Sequence, residues 1–168
     1  MPLALTLSEH LKVVEGLAPR VGAAAAVISD YVSLKNLHKL YAIVHYNQGD
    51  ADDQTWRILR ATDVTPTGAV VIANAAEIWS NLDCEASDTL VERTAAINYA
   101  SGVGQKHKTV IFEIDPSTLG DNGSGVDYTC VAVGSTGAVA ATSYVEILFI
   151  GVPRYPGPAA MQPSIVTD

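Results

Sequence analysis

The chain has 168 residues, 48% hydrophobic but only 7% aromatic, with 10 basic against 18 acidic side chains and a net charge of −8. Length and apolar content fit one ordinary domain with an aliphatic core and exclude disorder of the whole chain. The acidic balance argues against non-specific nucleic-acid binding, which needs cations to displace counterions from phosphate.

Ser8 opens the segment with the strongest helix signals. It can cap free amides, Glu9 suits the positive end of a helix, and Leu11, Val14 and Leu17 recur on one helical face. Gly16 weakens that segment and Pro19 ends it, so a helix of about three turns is expected there. The first residues lack the basic start and long apolar run of a signal peptide. Residues 20–29 read as a flexible or extended connector. In "DYVSLKN", Tyr31, Val32 and Leu34 read as apolar anchors of an extended arm and Lys35 as its charged rim.

From Lys39 the apolar period becomes two. Leu40, Ala42, Val44 and Tyr46 share one face of a strand, and Tyr41, Ile43 and His45 the other. A polar turn, "NQGDADD", leads to "QTWRILRAT", expected to be its hairpin partner. "TPTG" breaks the chain, "AVVIANAAEIWSNLD" suggests two short strands, and "DTLVERTAAINYASG" reads as a short strand with an irregular tail or as one amphipathic turn. "KTVIFEID" is a strand with Val110, Phe112 and Ile114 on one face, stopped by Pro116. After the loop "LGDNGSG" come "VDYTCVAVG" and "TSYVEILFIG", whose near-continuous hydrophobicity suggests strands paired in the centre of a sheet. The last stretch holds four of the eight prolines and reads as an extended tail in which Arg154 and Tyr155 are candidate contacts. The apolar runs "AAAAVI" and "YVEILFIGV" are too short to span a bilayer.

This pattern predicts a mainly β protein: a β-sandwich, plain or jelly-roll-like, or a barrel, over residues 37–150. A short helix and an extended arm would precede it in 1–36, and a Pro-rich tail would follow in 151–168.

No motif assembles an active site. His38 and His45, seven apart on a strand, fall on opposite faces, and His10 and His107 lie in other elements. Cys84 has acidic neighbours that disfavour a thiolate, and Cys130 alternates into a core. Asp50, Asp52 and Asp53 resemble the start of a calcium loop, but Thr55 and Ala61 stand where its glycine and glutamate belong. "GVGQKHK" lacks phosphate-loop spacing, and no GxSxG is present. No catalytic residue, metal or cofactor is expected.

The stretches "SEHLKVVEGLAP", "DYVSLKNLHKLYAIVHYNQG", "ATDVTPTGA", "ASDTLVERTAAINYASG", "HKTVIFEIDPSTL" and "PRYP" resemble small proteins of the head-assembly region of tailed bacteriophages. The resemblance covers Ser8 to Pro156. It implies a non-enzymatic virion protein, assembled in the host cytoplasm and capsid-associated. Cement or decoration subunits are the nearest functional analogy. The implied partners are the major capsid protein and further copies of the chain, as a homo-oligomer on the particle, with neither nucleic acid nor membrane. A head-completion or neck protein of the same module is the alternative. A sandwich carbohydrate-binding module, with Trp56 and Trp79 as sugar platforms, is another.

Overall fold

The computed structural model describes residues 6–120, 125–155 and 163–166. Among them the chain forms one helical turn, α1 (Leu7–His10), and then strands β1 (Lys12–Val21), β2 (Val32–Ser33), β3 (Leu37–Asn47) and β4 (Thr55–Ala61). β5 (Val70–Val71), β6 (Ala76–Asn81), β7 (Val91–Ala96), β8 (Asn98–Ala100) and β9 (His107–Ile114) follow. A 3₁₀ turn (Pro116–Leu119) precedes β10 (Cys130–Ser135) and β11 (Tyr144–Pro153).

The strands make two antiparallel sheets. One runs β1-β11-β3-β9-β6-β7, the other β2-β10-β4-β5, with β8 on the β5 side of β4 at its opposite end. The sandwich arises because the inner residues of both sheets share one core. Ala42, Val44, Val110, Phe112, Ile147 and Phe149 of the first sheet meet Trp56, Ile58, Val131 and Val133 of the second. Tyr46 and Trp56 join the sheets edge to face, with ring centroids 5.3 Å apart and planes at 74°. The fold is therefore mainly β, with two sheets and one short N-terminal helix, as the periodicity predicted.

Several local expectations are corrected. The helix stops after one turn, and Lys12–Val21 is a strand pairing with β11. Its register shifts between Glu15 and Leu17 and again between Leu17 and Arg20. The first bulge lets both Val14 and Leu17 face Phe149 and Ile147 on the inner side. A three-residue spacing that imitates a helix is thus a bulged strand. Gly16 sits at that shift because the Phe149 ring occupies the place of a Cβ, which would lie 2.4 Å from it.

The expected arm is not outside the domain. Tyr31 is 8% exposed, Val32 0% and Leu34 1%. β2 pairs with β10, Leu34 N donates to Thr129 O at 2.8 Å, and isolated bridges tie Ala25 to Val139 and Ile28 to Gly134. Ordering this segment is offset within the subunit, because Val27, Val32 and Leu34 fill the shared core.

β4 is a strand, but it pairs with β10, not β3. The polar stretch after β3 crosses between the sheets instead of making a hairpin. Nor do the last three long strands pair together: β9 and β11 flank β3, while β10 is central in the second sheet. Finally, the proposed tail begins inside β11, which runs to Pro153. Ile165 returns to the core at 2% exposure, and its carbonyl accepts from Ser33 N at 2.7 Å. Residues 156–162, with Met161 and two of the tail prolines, lie outside the described residues. So does most of the "DNGSG" turn.

Candidate interaction surfaces

The buried charges brace the fold. Lys108, 1% exposed, donates to Gln48 Oε1 at 2.6 Å, Ser101 O at 2.8 Å and Gly102 O at 2.7 Å, so its three protons are all taken. Burial pushes its ammonium below the ordinary lysine range, with the charge of Asp53 opposing. Arg60 donates through Nη1 to the carbonyls of Leu119 and Gly120 and lies 4.0 Å from the Tyr128 ring centroid. These groups lock the loops at the two ends of the sandwich.

Among the described residues no three histidine, cysteine, aspartate or glutamate side chains stand where they could hold one metal ion. Asp53 caps the neighbouring loop by accepting from Gly102 N at 2.6 Å, while Gln48 Nε2 donates to the carbonyls of Asp50 and Asp52. Those carbonyls therefore serve the loop itself. Cys130 is buried, and Cys84 Sγ lies 3.4 Å from Thr109 Oγ1. Trp56 is wholly buried, so the pair of tryptophan platforms that a sugar-binding module would need does not exist.

Of the expected contact residues, Tyr31, Val32 and Leu34 are inside and Lys35, Arg154 and Tyr155 are outside. These last three gather at one end of the sandwich. Arg154 N donates to Asn36 O at 2.9 Å and its Nε to Leu37 O at 3.0 Å, which fixes the chain leaving β11 beside the loop that carries Lys35. Lys35, Asp127, Tyr128 and Arg154 line one shallow hollow there. Tyr155, 76% exposed, stands next to it. Two cations, one carboxylate and two aromatic rings thus mark this end of the protein.

A second surface escaped sequence reasoning. The outer face of the six-stranded sheet carries two apolar rows across the strands. One runs Val13–Ile150–Tyr41 and then reaches Glu113 and Glu77. The next runs Leu148–Ile43–Ile111–Trp79, with Glu15 on β1 at one end and Glu92 on β7 at the other. Val13 is 47% exposed and the others are half-buried by their row neighbours. None packs against either core cluster. Lys39 Nζ crosses the end of the first row, 2.5 Å from Glu113 Oε2, 3.9 Å from Glu77 Oε2 and 5.7 Å from the Tyr41 ring centroid. The signal was present in the sequence as the second apolar face of β3 and the unbroken apolarity of β11. A place in the centre of the sheet, expected for β11 from that apolarity, leaves open what lies above the face.

No family model and no curated protein matches the chain. Among solved structures, the crystal structure of SPBc2 prophage-derived protein YomS is similar over 84% of this chain and 92% of that one, at 7% identity and a TM-score of 0.46. Function is accordingly read from this chain's own surfaces.

Proposed function

We infer that the protein is a non-enzymatic structural component of a bacteriophage particle, a cement or decoration subunit that binds the major-capsid-protein lattice. The sequence resemblance to phage head-region proteins motivates the reading. The observation that carries it to a contact is the end of the sandwich where Lys35, Arg154 and Tyr155 stand exposed together. Exposed aromatic and arginine side chains are the residues most often found to anchor interfaces. An acidic body would keep free subunits apart before they meet the particle. The subunit would be made in the host cytoplasm and end in the virion, in contact with capsid protein and with copies of itself.

Purified particles test this. A gel should show the chain at close to the abundance of the capsid protein; a few copies per particle would point to the neck instead. Particles assembled without the subunit should take up the wild type, and Tyr155→Ser with Lys35→Glu should bind them at least tenfold more weakly while melting as the wild type does. Unchanged binding would remove this end from the contact.

A further inference from the structure

We propose that the outer face of the six-stranded sheet is a docking surface for a folded protein whose own apolar patch is ringed by lysine or arginine. The inference does not depend on the phage reading. It begins with the two rows. Tyr41, Ile43, Ile111, Leu148, Ile150 and Trp79 form a continuous apolar band across five strands, since β1 adds Val13 at its margin. A solvent-facing antiparallel sheet ordinarily alternates apolar inside with polar outside. Here the alternation fails at the middle of the outer face, where large apolar patches mark contact surfaces.

The rim identifies the occupant. Glu15 and Glu92 close the central row at its two edges, Glu113 and Glu77 lie at one end of the strands, and Glu146 lies opposite His45 towards the other end. Lys39 is already held by Glu113. A second copy stacked on this face about a two-fold axis parallel to the strands would bring Glu15 to Glu92. An axis perpendicular to them would bring each edge onto itself, glutamate to glutamate. Either stacking opposes like charges around an apolar centre, which disfavours self-association. The same rim favours a patch of opposite sign.

The chain can supply its own probe. Glu15→Lys, Glu77→Lys and Glu92→Lys together would give a copy with this apolar band inside a cationic rim, through exposed positions that should leave its melting unchanged. Mixed with wild type, it should give a one-to-one complex by sedimentation, while wild type alone stays monomeric through this face. Raising the salt should weaken the complex at least tenfold. The double substitution Ile43→Thr with Ile111→Thr, which keeps β-branched side chains in both strands, should abolish it with the fold retained. Amide exchange should map protection onto β3, β9 and β11. Three results would overturn the proposal: no complex at any salt; wild-type dimers lost in the Ile43→Thr, Ile111→Thr variant, which would make a second copy the occupant; or the face already protected in the wild-type monomer, which would mean that the chain covers it itself.

Discussion

The two sheets have outer faces of similar apolar character and opposite fates. On the five-stranded sheet, Leu59, Ala61, Cys130 and Ala132 are covered by Tyr31, with Val64 and Val71 packed against them, so that a second small core forms. On the six-stranded sheet, Leu148, Ile43, Ile111 and Trp79 have no such cover among the described residues. Tyr31, just before the edge strand β2, lies over the outer face of one sheet with Val64 and Val71, and among the described residues nothing comparable lies over the other. The difference teaches that an apolar strand face does not reveal its cover; that depends on where a distant, irregular segment is laid.

The comparison breaks most visibly at Leu34, which anchors the chain next to Tyr31 in the shared core. Leu34→Asp would bury a carboxylate without a partner and should leave no cooperative melting transition. The milder Leu34→Ala should cost about 2–5 kcal/mol in urea unfolding. A wild-type-like melt of either would mean the segment is detachable after all. Tyr31→Ala strips the cover from the smaller core and should lose about 1.5–3 kcal/mol, seen as a lower urea midpoint. On the bare face, Ile111→Thr should change stability by less than about 1 kcal/mol, because no second layer packs on it. A cost equal to that of Tyr31→Ala would show that the bare face is covered.

The smallest effect concerns Lys39. Its hydrogen bond to Glu113, together with the charges of Glu113, Tyr41 and Glu77, outweighs desolvation and holds its ammonium above the ordinary lysine value. A raised pKa means that the stabilisation is complete below the ordinary value and is lost as pH climbs through the raised one. Because the pair is partly exposed, Lys39→Ala should cost at most about 1 kcal/mol at neutral pH. The wild-type advantage over that variant should vanish in strongly alkaline solution, as chemical denaturation at both pH values would report.

Much of this architecture was legible. Strict alternation in β3 and β9 gave their inner faces residue by residue, because one side of each meets the core. β1 was not legible, since its bulge sets Val14 and Leu17 three apart on one face and so copies a helical period. The partner of β4 was hidden because alternation says which side of a strand is buried, not which sheet it joins. For the surfaces, Lys35, Arg154 and Tyr155, expected at the surface because they sit in irregular stretches, are exposed. Tyr31, Val32 and Leu34 were misplaced because their burial comes from tertiary contacts that no local period encodes. The bare face was invisible for the complementary reason: Ile43 and Leu148 read alike whether protein or water lies above them.

The pairing of β1 with β11 also sets a timetable. Lys12 lies opposite Gly151, and Ser33 is tied to Ile165, so β1 and β2 find partners far along the chain. On the ribosome, β1 must wait with its strand edges unpaired until β11 has emerged, and the six-stranded sheet cannot close before then. Closure across so long a separation is slow compared with local pairing. It also leaves a long interval in which a nascent strand edge can meet the wrong neighbour. Completion of this sheet is thereby coupled to the synthesis of β11: a chain stopped short of it would lack the strand partner of β1.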